Sequence, residues 1–163
     1  MSGLRILVVD DNEDVRLLVT NWLSGSYDIE SAIDGNECIS KIKSGKVYDL
    51  IFLDVMMPGP KPGDLVESIV KYLPKIKIIY LTAVEMFSPT EEQEKKGYLP
   101  VITEAVKGYL VKPVDKTQLI NKINEVMELE NLMKKAPNKR ITKKSVGSGL
   151  KNKPAKKKSQ KKR

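Results

Sequence analysis

The sequence predicts an α/β fold: five parallel strands in one doubly wound sheet with helices on both faces, followed by a basic C-terminal segment. Short apolar runs alternate five times with stretches of helical periodicity, the pattern of a parallel sheet with right-handed crossover helices. The most apolar run, Leu50-Ile51-Phe52-Leu53, is too short for a buried helix and is closed off by Pro58, so it reads as a central strand buried on both faces. It ends in Asp54. In an open parallel sheet, ligand crevices form at the carboxyl edge of the strands, which makes Asp54 a chemical candidate. A turn aspartate capping a loop is the simpler reading of that residue by itself.

In chain order, Leu4 to Val9 is a first apolar run ending in acid, here Asp10-Asp11. Asn12 and Asp14 suit a helix start, and Val15, Leu18, Val19, Trp22 and Leu23 fall on one helical face before Gly25. Tyr27 to Ala32 alternates as a second strand, and Asp34-Gly35-Asn36 reads as a turn. Ile39 and Ile42 mark a short helix that ends near Gly45 and carries Cys38 as a small buried residue. After the central strand, Pro58, Pro60 and Pro62 stiffen a loop, because each proline fixes φ and removes a donor. Asp64 is expected to cap a helix through Leu65, Val66, Ile69, Val70 and Leu73, ended by Pro74.

Ile76 to Leu81 is the fourth strand, delivering Thr82. Ser88-Pro89-Thr90-Glu91 has the capping pattern of a helix that is polar nearly all round and stops at Gly97. Tyr98 to Val106, interrupted by Pro100, is a loop or a second short helix. Tyr109-Leu110-Val111 is the fifth strand, delivering Lys112 and stopped by Pro113. A last helix opens at Asp115 with Gln118 in box position and carries Leu119, Ile123, Val126 and Met133 on its core side until Pro137.

The 163 residues, 40% hydrophobic, are enough for one core, so the expected division is a domain over residues 1–133 and a disordered Lys-rich tail over residues 134–163. Of the 29 Lys and Arg residues, 14 lie in that tail, which holds none of the 21 acidic residues. The remaining 133 residues thus carry 15 basic and 21 acidic groups, a net charge of −6 against +14 for the tail. The single Cys38 rules out an internal disulfide and fits a cytoplasmic setting. The run Leu4 to Val9 is far shorter than a membrane span, and no export signal is visible.

If the strands are parallel, Asp10-Asp11, Asp54, Thr82 and Lys112 share one crevice. Three carboxylates packed together repel one another unless a cation neutralises them, and hard oxygen ligands with room for water suit Mg²⁺. A hydroxyl and an ammonium opposite such a site cradle the oxygens of a phosphoryl group. Each part also has a purely structural reading: Asp10-Asp11 starting a helix, Thr82 capping a loop, Lys112 pairing with Asp54 in an ordinary salt bridge.

In combination, Val8-Val9-Asp10-Asp11, Leu53-Asp54-Val55-Met56-Met57-Pro58, Leu81-Thr82-Ala83 and Tyr109-Leu110-Val111-Lys112-Pro113 resemble the receiver domain of two-component response regulators, a chemotaxis-regulator-like, flavodoxin-like fold. The resemblance runs from about Leu4 to Met133. It implies a phosphoacceptor module, not a turnover enzyme, that takes a phosphoryl group on Asp54 from a sensor histidine kinase and then changes its binding to an output partner. It implies Mg²⁺ held by Asp11, Asp54 and the main-chain carbonyl of Met56, with Asp10 acting through water. Thr82 and Lys112 would hold the phosphoryl oxygens, and Thr82 with Tyr109 would form the switch.

Two stretches depart from the family pattern. The loop from Asp54 to Gly63 is one residue longer, and Thr82 to Lys112 is several residues longer, which remodels the face that partners read in the family. Beside the phosphoryl path the resemblance places Met56 and Val84, neither able to orient a water, which implies slow autodephosphorylation. At about thirty residues the tail is too short for the DNA-binding domain that many response regulators carry. Its functional readings are nucleic-acid contact through phosphates, tethering to an anionic membrane, or folding back on the acidic body, against a merely solubilising role. The alternative function is therefore a polyanion-binding protein with the receiver fold as scaffold.

Overall fold

The computed structural model describes residues 3–83 and 103–135, with the side chains of residues 130 and 133–135 excepted. The order is β1 (Arg5–Val9), α1 (Glu13–Leu23), β2 (Asp28–Ala32), α2 (Gly35–Lys43), β3 (Leu50–Leu53), α3 (Pro62–Tyr72), β4 (Lys77–Thr82), β5 (Val106–Val111) and α4 (Lys116–Lys135). The five strands form one sheet in the order β2-β1-β3-β4-β5, and every pairing is parallel.

Side chains on a strand alternate between faces, and the two halves of the core follow that period. Leu7, Val9, Ile51, Leu53, Ile78 and Tyr80 point to one face, where Cys38 and Ile42 of α2 and Leu65, Val66 and Ile69 of α3 cover them. Ile6, Val8, Leu50, Phe52, Ile79 and Leu81 point to the other and meet Val19 and Leu23 of α1 and Leu119, Ile123 and Val126 of α4. All four residues of β3 are buried, as expected of a central strand. At about 1.5–3 kcal/mol for each such side chain, this strand anchors the sheet that carries Asp54.

Local details depart from the sequence reading in instructive ways. Leu18 is exposed, because α1 turns only Val19 and Leu23 fully inward, with Val15 and Trp22 at the margin. The Asp34-Gly35-Asn36 stretch is a helix start: Asp34 caps α2 by accepting from the Glu37 N–H at 2.8 Å. Gly35 lets α2 and α3 approach closely, since a Cβ would come within 2.9 Å of the Leu65 Cδ2 methyl and push that side chain aside. Helix α3 begins at Pro62 after an N-cap, Lys61, that makes no side-chain bond, so Asp64 lies in its first turn and is not its cap. Strand β5 begins at Val106, so that residue belongs neither to a loop nor to a helix.

The box at Asp115 forms as the spacing predicts: Asp115 N–H donates to Gln118 Oε1 at 2.8 Å, and Gln118 N–H to Asp115 Oδ1 at 2.9 Å. The expected helix from Ser88, the rest of the Tyr98 to Val106 stretch up to residue 102, Val84, the Met133 side chain and residues 136–163 lie outside the described residues. No helix among the described residues is long and apolar enough to cross a membrane.

Cys38 is fully buried, and burial together with the nearby Asp34 and Glu37 charges pushes its thiol up to about 12. As the thiolate is the reactive form, native protein at about pH 8 should resist alkylation by iodoacetamide, whereas urea-unfolded protein should react at once. Mass spectrometry of pulse-labelled samples distinguishes the two. Rapid labelling of native protein would show that the α2 packing opens.

Candidate functional site

The sheet ladder continues one residue beyond three strand ends and brings three candidate side chains to a single edge. Asp10 N–H donates to the Ala32 carbonyl at 3.2 Å, Asp54 N–H to Val9 at 2.9 Å and Lys112 N–H to Thr82 at 2.8 Å. Lys112 Nζ then donates to Asp10 Oδ2 at 2.6 Å and to Asp54 Oδ2 at 2.8 Å. The second oxygens are also satisfied: Asp10 Oδ1 accepts from Asn12 N–H at 3.0 Å, and Asp54 Oδ1 from Met56 N–H at 2.9 Å. Asp10 and Asp54 are only 1% and 6% exposed, while Asp11 is exposed beside them.

Burial dominates the electrostatics. It pushes the Asp10 carboxyl above its ordinary value, against the opposing bond and charge of Lys112. Burial alone would lower Lys112, but bonds to Asp10 and Asp54 outweigh it and raise the ammonium above its usual range. Ligand oxygens of Asp10, Asp11 and Asp54 all lie within 4.8 Å of one another, a donor set of hard anionic oxygens that fits a divalent cation.

The remaining expected residues lie around this centre. Thr82 ends β4 and is fully buried. Tyr109, in β5 opposite Tyr80, is half-buried and packed against the core on the α2–α3 side. Met56 is exposed, between buried Val55 and Met57, and Gly59 further along the loop takes φ +112°, a conformation in which a side chain is strained. Arg16 was missed in the sequence, as was the second role of the expected cap Asn12. Arg16 Nη1 donates to the Asp10 carbonyl at 2.7 Å and pins the β1–α1 loop, and Asn12 serves twice, bonding Asp10 and capping α1 through Oδ1 to the N–H groups of Asp14 and Val15. The placement of Arg16 one turn after the cap was the available signal.

The profile of the response regulator receiver domain matches residues 6–124, about three-quarters of the chain. The chain belongs to that family. The receiver is 29% identical over 134 residues to chemotaxis protein CheY-3 of Vibrio cholerae, covering 78% of this chain and 94% of that protein. It is 28% identical over 126 residues to chemotaxis protein CheY of Thermotoga maritima, covering 76% and 98%. Among solved structures, the response regulator TrrA of Thermotoga maritima in complex with Mg²⁺ and BeF matches with a TM-score of 0.59 at 31% identity, over 76% of this chain and 98% of that one. Receivers are phosphoacceptor modules of two-component signalling, and their acidic pocket binds Mg²⁺.

The raised Asp10 value has a consequence for stability. A carboxyl raised by folding contributes stability below its unfolded value near 3.8 and loses it as pH rises through the folded value. In EDTA, the parent receiver should therefore lose stability relative to Asp10→Asn as pH rises from about 4 to about 7. Thermal unfolding of both proteins across that range checks it. Parallel curves would mean that Lys112 neutralises Asp10 fully.

Proposed function

We propose that this receiver is a phosphorylation-switched signalling module whose acceptor is Asp54, supplied by the phosphohistidine of a sensor histidine kinase. The observation that carries the reading is the half-buried Lys112 ammonium, held by Asp10 and Asp54 at one sheet edge with Asp11 alongside. A carboxylate oxygen of Asp54 attacks phosphorus, the bond to the histidine nitrogen breaks, and a mixed anhydride forms. The residues fit Mg²⁺ held by Asp11, Asp54 and the Met56 carbonyl, with Asp10 acting through water; bound there, the ion would neutralise charge on the phosphoryl oxygens. Lys112, already 2.8 Å from Asp54 Oδ2, is within reach of an oxygen on the same group. Asn12 and Arg16 keep the β1–α1 loop in place while this happens.

The switch reading follows from charge. A new doubly negative group draws the buried Thr82 hydroxyl toward it, and the vacated space lets half-buried Tyr109 turn further inward, which alters the β5 face that a partner would read. A second reading rests on segment 134–163, whose 14 basic and no acidic residues favour electrostatic contact with a polyanion, either nucleic acid or an anionic membrane. In that reading the receiver fold is scaffold; the carboxylates of Asp10, Asp11 and Asp54 with Lys112 beside them favour phosphoryl acceptance over it.

Asp54→Asn should abolish Mg²⁺-dependent labelling by acetyl phosphate, read by intact mass or Phos-tag electrophoresis. A variant that labels as well as the parent would move the acceptor to Asp10 or Asp11.

The phosphorylated state should also be long-lived. An exposed Met56 side chain offers no hydrogen bond to an in-line water, and Val84 is equally apolar. Replacing Met56 with Asn and Val84 with Glu should speed decay by on the order of tenfold or more, the scale of one positioned acid–base group. Phosphoprotein remaining after donor removal, in Mg²⁺, is the measurement. Parent decay within seconds would remove these two side chains as the cause.

A further inference from the structure

We infer that Arg16 is a positioning residue of the acidic pocket: by bonding the Asp10 carbonyl it fixes where the Asp11 carboxylate stands, and so sets the affinity for a divalent cation that it does not itself touch. This rests on the proposed Mg²⁺ site and deepens it, because the residue named lies outside the donor set.

The three carboxylates are not held alike. Asp10 is bonded at both oxygens, Oδ1 by the Asn12 N–H at 3.0 Å and Oδ2 by Lys112 Nζ at 2.6 Å. Asp54 is likewise bonded at both, by the Met56 N–H at 2.9 Å and by Lys112 Nζ at 2.8 Å. Asp10 and Asp54 are buried, whereas Asp11 is exposed, so its place is set by the direction in which the main chain leaves β1. Its ligand oxygen nevertheless lies within 4.8 Å of those of the other two. A cation that finds the three oxygens already converged binds tightly; one that must first gather them binds less well, because the ordering is subtracted from its affinity.

Arg16 acts on that chain direction. The Asp10 N–H makes a rung of the ladder with the Ala32 carbonyl at 3.2 Å, and beyond that rung the Asp10 carbonyl is taken by Arg16 Nη1 at 2.7 Å. This carbonyl belongs to the peptide unit that joins Asp10 to Asp11. The unit is planar, so restraining its oxygen also restrains the Asp11 Cα. On the other side of Asp11, the Asn12 N–H returns to Asp10 Oδ1, while Asn12 Oδ1 caps α1 through the N–H groups of Asp14 and Val15. Asp11 thus stands between two anchored points. Arg16 supplies the one before it.

Helix stability does not account for this bond. A side chain early in a helix points back toward the N-terminus, where the macrodipole disfavours a cation. Glu13 and Asp14 occupy the first turn of α1, yet the half-buried Arg16 guanidinium is bonded to an uncharged carbonyl. Charge is already supplied to the buried pair by Lys112, at hydrogen-bond distance from both carboxylates. The two cations therefore have separate tasks: Lys112 neutralises the pocket, and Arg16 shapes the chain that completes it.

The test compares the full chain with Arg16→Met, which keeps an apolar stem and a good helix former but removes the donor, and with Arg16→Lys, which restores a donor. Arg5→Met is the control, since Arg5 pairs with Asp28 at the opposite end of β1. Mn²⁺ is the probe, its free concentration read by electron paramagnetic resonance. Arg16→Met should weaken Mn²⁺ binding by about 10–100-fold, the usual cost of losing an outer partner of a metal site. Arg16→Lys should fall between that variant and the parent, and Arg5→Met should bind as the parent does. In acetyl phosphate labelling, the Mg²⁺ concentration for half-maximal rate should rise in Arg16→Met by the same factor as the Mn²⁺ dissociation constant. Parent affinity in Arg16→Met would overturn the inference and leave the metal site standing. Equal weakening in Arg5→Met would overturn it too, by tracing the loss to the stability of β1. A parent that binds no Mn²⁺ would remove the metal reading together with the inference built on it.

Discussion

Everything at the candidate site depends on one half-buried ammonium held between two buried carboxylates. Asp10 and Asp54 are nearly free of solvent, and two such anions side by side are unfavourable by several kcal/mol unless a cation is close. Lys112 supplies it at 2.6 and 2.8 Å. Because the lysine comes from the end of β5 and the aspartates from the ends of β1 and β3, this contact ties the edge strand of the sheet to its centre. The balance is incomplete, since Asp10 remains above its ordinary value. That residual imbalance suits a site that takes up a further cation, with exposed Asp11 next to the pair.

Much of this was legible in the sequence because it is written in short-range signals. A four-residue apolar run fixes β3, its length fixes where Asp54 emerges, and the recurrence of the pattern at Val9-Asp10 and Val111-Lys112 puts the other charges at the same edge. Caps with side-chain oxygens at a set spacing, Asn12 and Asp115, were equally visible. Signals failed where tertiary contact decides. Leu18 satisfies helical periodicity, yet α1 presents a narrow stripe to the sheet, so the residue remains exposed. Gly35 looked like a turn residue, whereas its role is to let α2 and α3 approach. Arg16 carries no local signal beyond its place one turn after the cap, and its bond to the Asp10 carbonyl exists only once the β1–α1 loop is folded.

The same distinction separates the rigid strands of the sheet from the one with room to move. Strands β3 and β4 are buried at every position and β1 at all but its first, and close-packed interiors of this kind do not deform continuously. Strand β5 is different: none of its residues is fully buried, and its register with β4 is broken between Ile78 and Ile79. It is also the strand that supplies Lys112 and, through the bond from Lys112 N–H to the Thr82 carbonyl, it is fastened at the site end. The sheet is therefore held most tightly at its centre and least at β5. Tyr109, half-buried and packed on the α2–α3 side of the core, belongs to this less tightly held edge.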